Sequence, residues 1–450
     1  MMSHLTVAKF GGTSVADHTA MNRCANIVLD DPNTKVVVLS ASAGVTNLLV
    51  ALANGCDAEQ RAYYLDEVRR IQLRILQDLG NPPAIQEKIN RMLDSIAALA
   101  EAASLATSAA LTDELVSHGE LMSTLLFTEL LLQRGERAIW VDVRKVLRTD
   151  SHFGKAVPDL VATAALCEQH LLPHLDAGLI ITQGFIGSDD KKRTTTLGRG
   201  GSDYSAALLA EAMKADSLII WTDVDGIYTT DPRITAAAKR IDEISFSEAS
   251  EMATFGAKIL HPATLLPAVR SDIPVFVGSS KEPKAGGTWV TRNASRKPLF
   301  RAVAVRRDQI LLTLHSLNML HAQGFLAEVF NILARHKISV DLITTSEVSI
   351  ALTLDKTGSA SSGASLLTDG LLEELSQLCR VEVESDLALV ALIGNQMSHT
   401  AGAGKQIFDT LSAFNIRMIS YGASAHNLCL LTRGDDADKV VQTLHRHLLE

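Results

Sequence analysis

The sequence predicts an α/β fold: a large domain built on a mostly parallel sheet, followed by two small βαββαβ units of ferredoxin-like type. Three observations carry this. Up to about residue 280, short apolar runs alternate with longer helical patterns, the mark of buried strands with helices on both faces of their sheet. Residues 281–300 are rich in charge, Pro and Gly and show little periodicity, which marks a boundary. Beyond it, Phe330, Leu333, Ile338 and Ser346 match Phe408, Leu411, Ile416 and Ser424 gap for gap, as a duplicated unit requires.

The expected strands of the first domain lie at 5–10, 35–39, 138–143, 179–183, 217–222 and 274–278, with a long helical stretch at 46–134 between the second and third. In each C-terminal copy a helix starting near a glycine, Gly324 or Gly404, leads into two short strands. The expected organisation is a domain at 1–285, a linker at 286–300, and repeat units at 301–385 and 386–450.

Composition bounds the function. At about 150 residues per domain, 450 residues allow roughly three. A content of 47% hydrophobic and 21% charged residues is that of an ordinary globular chain, which rules out disorder and collagen-like repeats. The net charge of -9 argues against a nucleic-acid or anionic-membrane partner, which would need a basic face. Aromatic residues, at 4%, are too few for base-stacking platforms.

No uninterrupted apolar run reaches the roughly 18 residues of a membrane span; Glu101, His174 and Asp203 break the best stretches. The start, Met1-Met2-Ser3-His4-Leu5, lacks the basic and long apolar regions of a signal peptide, so a cytoplasmic location is expected. Five scattered cysteines without a Cys-x-x-Cys pair read as buried thiols.

Four strings carry chemistry. Lys9-Phe10-Gly11-Gly12-Thr13-Ser14 closes the first strand and opens a helical pattern near Val15, where glycine amides and a helix N-terminus can receive an anion. It is neither a Walker loop nor a dinucleotide fingerprint, and Ser40 stands where the second strand of a dehydrogenase would end in an acid. Thr194-Thr195-Thr196-Leu197-Gly198-Arg199-Gly200-Gly201-Ser202-Asp203 combines hydroxyls, glycines and an Arg suited to gripping a carboxylate. Lys191, Lys192 and Arg193, just before it, read as a solvated surface run.

The string from Trp221 through Thr222, Asp223 and Tyr228 to Arg233 leaves a buried strand where α/β sheets collect ligands. Phe255-Gly256-Ala257-Lys258-Ile259-Leu260-His261-Pro262 brings a second Lys just ahead of a helix. Other matches are set aside: Gly402-Ala403-Gly404-Lys405 is a helix start, Gly286-Gly287-Thr288 runs into a strand, and Glu114 with His118 is a surface contact. No metal site is expected.

Together and in this order, the four strings resemble the aspartate kinases of the amino-acid kinase family, and the C-terminal repeat resembles their paired ACT domains. Ser316-Leu317-Asn318-Met319 and Gly324-Phe325-Leu326 are similar to the lysine-sensitive class. The resemblance implies phosphorylation of the L-aspartate side chain by ATP with Mg2+, and no protein base is needed, since a carboxyl group with a pKa of about 3.9 is already ionised at pH 7. It implies that Lys9 and the Gly11 and Gly12 amides hold the transferring phosphoryl group and that Asp203 orients Lys9. Phe10, Thr222, Asp223, Tyr228, Arg233, Lys258 and Ile259 would serve the nucleotide, with Lys258 counted as catalytic.

For aspartate it implies Arg199 on a carboxylate, Glu120 on the α-ammonium, and Ser40, Thr46, Gly200, Gly201 and Ser202 around them. By its sequence context alone, Glu120 reads equally well as an exposed helical acid. An L-lysine effector would sit among Met319, Ala322, Gly324, Phe325, Leu326, Val340, Asp341, Ser346 and Glu347, although Asp341 also reads as an exposed strand-edge acid. Ala322 stands where the family carries Ser. A homodimer or dimer of dimers is implied. Two other readings stay open: a kinase for glutamate or acetylglutamate, and a non-catalytic amino-acid sensor.

Overall fold

Val-, Ile- and Leu-rich strands build an eight-stranded sheet in the N-terminal body. Its spatial order is Glu243–Ser245, Gly287–Thr291, Val275–Ser279, Ser217–Thr222, Thr6–Phe10, Thr34–Leu39, Leu179–Gln183 and Ala138–Trp140. All neighbours are parallel except Val275–Ser279 with Gly287–Thr291. The molecule is described by a computed structural model at residues 4–198, 200–256, 260–316, 323–355 and 365–450. Strand Thr6–Phe10 is buried throughout and lies between one strand from early in the chain and one from more than 200 residues later. Connections depart in both directions there, and a crevice opens at the carboxyl ends of such strands.

The expected helix near Val15 is instead a short 3-10 turn, Gly12–Val15, and the α-helix starts at His18. The reason is a cap: the Asp17 side chain accepts the Ala20 amide at 2.8 Å. The stretch expected at 46–134 is four helices, Val45–Ala53, Ala58–Asp78, Pro83–Leu105 and Ala109–Gln133. Leu49, Leu52, Ile75, Ile89, Ile96, Leu115 and Met122 fill the core between them. Ala109–Gln133 is long and apolar enough to cross a membrane, but 89% of its most apolar window is buried in the protein. It is the central core helix.

Residues 228–240 and 247–258, from inside the span 1–285, group with 295–450 in a second body. There six antiparallel strands follow the order Leu342–Thr345, Ser349–Asp355, Phe300–His315, Arg380–Gly394, Asn427–Arg433 and Met418–Tyr421. Helices Phe325–Arg335 and Asp369–Ser376 enclose one small core, and Ala403–Thr410 and Ala437–Leu448 a second. The long strand Phe300–His315 serves both cores: Val303 packs in the second, whereas Leu312 and Leu314 pack in the first. Four of the five cysteines are buried, and Cys56 is partly exposed.

Candidate active site

Lys9, next to last on the central strand, reaches its carboxyl edge in a buried position, 7% exposed. Its Nζ lies 2.6 Å from Asp203 Oδ1, in the first turn of helix Gly201–Ala212. A Cβ on Gly12 would come within 2.8 Å of the Ala41 carbonyl oxygen, so only glycine lets the loops after the first two strands approach this closely. The Gly11 amide donates to Trp221 O at 3.2 Å and the Ala43 amide to Gly12 O at 3.1 Å. These bonds tie the loop to the strands on either side.

Glu120 is not an exposed acid. It is 2% exposed in the core helix Ala109–Gln133, and its Oε2 has no hydrogen-bond partner among the described residues. The cause is close packing: Gly119 brings its backbone so near that a Cβ would sit 2.7 Å from Ala41 Cβ, while Ser123 Oγ donates to Ser40 O at 2.8 Å. Burial pushes the Glu120 carboxyl from 4.5 up to about 8, with the Ala41 amide, its own amide and the Lys9 charge opposing. Thr46 lies in the first turn of helix Val45–Ala53, behind the left-handed Gly44.

Glycines also shape the 194–203 string. A Cβ on Gly200, whose φ is +73°, would lie 2.6 Å from His261 Cβ, and one on Gly184 would lie 2.8 Å from Ser202 Cα. Ser202 and Asp203 thereby start a helix beside the end of strand Leu179–Gln183. Thr222 ends its strand, its Oγ1 donating to Asp223 at 3.2 Å and its carbonyl accepting the Ser280 amide at 2.9 Å. Lys9, Gly11, Gly12, Ser40, Glu120, Ser202, Asp203 and Thr222 thus belong to one body and lie on or beside the elements that bound its crevice. Tyr228 and Arg233 belong to the second body, where Arg233 pairs with Asp231 at 2.6 Å. Arg199, Lys258, Ile259, Met319 and Ala322 lie outside the described residues.

In the second body Gly324, with φ of +89°, caps helix Phe325–Arg335, whose Leu326 is exposed. Asp341 is half-buried and not a strand-edge acid in solvent. The Arg306 guanidinium lies 3.2 Å from it and also pairs with Asp355. Ser346 Oγ accepts the Ser349 amide at 3.1 Å, forming a turn that exposes Glu347.

Sequence reasoning missed Asp113, Arg306 and Asp355; nothing in their local strings sets them apart from surface charges. It also placed His118 on the surface. His118 is buried, with Nδ1 2.9 Å from the Glu114 carbonyl oxygen and Nε2 3.1 Å from Ser95 Oγ. No group of three or more His, Cys, Asp or Glu suited to a metal occurs among the described residues.

Comparison with known proteins gives two family matches: the amino acid kinase family over residues 4–279 and an ACT domain over 390–448. The chain is 68% identical to lysine-sensitive aspartokinase 3 of Escherichia coli K12 over 449 residues, covering 100% of each chain. It is 35% identical to chloroplastic aspartokinase 3 of Arabidopsis thaliana, covering 99% of this chain and 81% of the other. Its structure resembles E. coli aspartokinase III in complex with aspartate and ADP (R-state), with a TM-score of 0.92 at 68% identity, covering 99% of this chain and 100% of that one. The complex of the same enzyme with lysine and aspartate (T-state) gives 0.85 at the same identity and coverage.

Proposed function

Because the chain belongs to the amino acid kinase family and, within it, to the aspartokinases, we propose that it transfers the γ-phosphoryl group of ATP to the side-chain carboxylate of L-aspartate and that L-lysine inhibits it. The observation that carries the reading is the pairing, in one body, of a buried Lys9–Asp203 ion pair with a buried Glu120 carboxyl whose Oε2 has no hydrogen-bond partner among the described residues. The first suits a phosphoryl group; the second suits an ammonium.

The acceptor carboxylate is ionised at neutral pH, so one of its oxygens attacks the γ-phosphorus directly. The new O–P bond forms as the bond to the β-phosphate oxygen breaks, and ADP leaves with that electron pair. No proton moves, so the protein's contribution is positioning and charge neutralisation. Asp203 fixes the Lys9 ammonium by one contact and leaves its other N–H groups for the phosphoryl oxygens. Ionised Glu120 takes the α-ammonium, and Arg199, Ser40, Thr46, Gly200, Gly201 and Ser202 receive the rest of the amino acid. Phe10, Thr222, Asp223, Tyr228, Arg233, Lys258 and Ile259 are assigned to the nucleotide.

Mg2+ would be carried on the phosphates of ATP, where it would supply further charge neutralisation. Gly324, Phe325, Leu326, Val340, Asp341, Ser346 and Glu347, with Met319 and Ala322, are assigned to lysine. The reaction is placed in the cytoplasm and the assembly is a homodimer or a dimer of dimers, measurable by sedimentation.

Trapping with hydroxylamine tests the chemistry. With ATP and Mg2+, L-aspartate gives a hydroxamate and glutamate gives far less; folded protein yielding no aspartyl hydroxamate overturns the reading. Millimolar lysine lowers the initial rate at subsaturating aspartate; an unchanged rate overturns the feedback assignment alone.

A further inference from the structure

Asp113 is a charged residue, 1% exposed, in the same helix as Glu120, and the mechanism above does not use it. Three donors converge on its carboxylate: the Gly154 amide at 2.9 Å, the Thr196 amide at 2.9 Å and Thr196 Oγ1 at 2.8 Å. Burial still holds the carboxyl above its ordinary value against these bonds. A buried carboxylate is retained at this cost where its bonds fix a geometry.

The geometry it fixes is the near end of the substrate loop. Thr196 ends the strand Thr194–Thr196, and the chain runs from it through Gly198 and Gly200 to Ser202 and Asp203. The far end is held by the Lys9 ion pair. The near end is held by the antiparallel pairing of Thr194–Thr196 with Ile186–Ser188, by the Ala156 amide donating to Thr196 O at 2.8 Å and the Leu197 amide donating to Phe185 O at 3.0 Å, and, from the helix that carries Glu120, by the Asp113 bonds. Asp113 and Glu120 are seven residues apart, just under two helical turns, so they leave nearly the same side of the helix about 10 Å apart along its axis.

Resting on the aspartate-kinase reading, we propose that Asp113 is a positioning residue that fixes, through Thr196, the distance from Glu120 to the substrate loop and thereby the chain length of the accepted amino acid. A helix is a stiff spacer. It holds the ammonium acceptor at one point and the loop that receives the carboxylates at another, and an acceptor one methylene longer than aspartate misplaces its carboxylate.

The test is steady-state hydroxamate kinetics on the full chain with aspartate and with glutamate. For Asp113→Asn, which offers one acceptor oxygen where three donors converge, KM for aspartate rises about tenfold, kcat changes less than about threefold, and the aspartate-to-glutamate ratio of kcat/KM falls about tenfold. KM for ATP stays unchanged. Thr196→Val removes only the hydroxyl donor and shifts the same two quantities in the same direction by less; it carries the test if Asp113→Asn does not fold.

A lowered Tm with KM and the ratio unchanged means that Asp113 is only structural and overturns the proposal, as does an unchanged Thr196→Val when Asp113→Asn is unfolded. Wild-type protein that forms no aspartyl hydroxamate overturns the underlying reading instead.

Discussion

Each body contains a deeply buried glutamate, and the two are treated in opposite ways. Glu248, in the second body, is fully buried, and its Oε1 accepts Arg301 Nε at 2.9 Å and Asn395 Nδ2 at 2.7 Å. Glu120, in the first, keeps one oxygen with no partner among the described residues and is held largely protonated near neutrality by burial. A buried charge with its partners in place is part of the frame. One left without them is a site waiting for a cation, because an uncompensated buried polar group is costly and otherwise rare.

The largest effect expected is on stability. Glu248→Ala leaves Arg301 without its carboxylate, and chemical denaturation then reports a loss of about 3–5 kcal/mol. The kinetics of the molecules that remain folded change little. Glu120→Gln does the reverse: kcat/KM for aspartate falls by about 10²–10³, the loss of one partner of a buried charge pair, while Tm holds or rises. If Glu120→Gln destabilises as Glu248→Ala does, the contrast between the two glutamates is gone.

Proton linkage sharpens the same comparison. Glu120 must ionise to take the α-ammonium, so KM for aspartate falls by up to about tenfold per pH unit as the pH climbs toward 8 and then levels. In the empty protein its folded pKa lies above the unfolded one. The stability this contributes is fully present below the ordinary carboxylate range and is lost as pH rises through about 8. Melting curves from pH 5 to 8.5 therefore fall more steeply for wild type than for Glu120→Gln, and saturating aspartate flattens the wild-type slope. The smallest effect concerns lysine. Arg306 occupies Asp341, so Arg306→Gln lowers the half-inhibiting lysine concentration by about two- to fivefold, a modest change because the pair is partly solvated.

Much of this was legible in the residues. Lys9, the paired glycines and Asp203 sit in strings whose composition announces an anion site, and alternating apolar runs gave the parallel sheet. Glu120 was not legible, for a physical reason. Helix Ala109–Gln133 is buried on nearly every side from residue 115 to 128, so no polar face shows which of its acids points into a site. Asp113 is hidden likewise, since its bonds are to residues 41 and 83 positions away. Tyr228 and Arg233 follow Thr222 closely in the chain yet group with the other body, a division that no local pattern marks.

The strand shared by the two C-terminal cores also sets a timetable for synthesis. Phe300 pairs with Gly394, and Val303 with Leu392, so residues 300–305 leave the ribosome roughly 5–20 s before the strand they pair with, at 5–20 residues per second. Until then an apolar edge stands open to the wrong neighbour. The first repeat folds inside a loop whose ends belong to the second, so cutting the chain between the repeats would leave the second without one of its own strands.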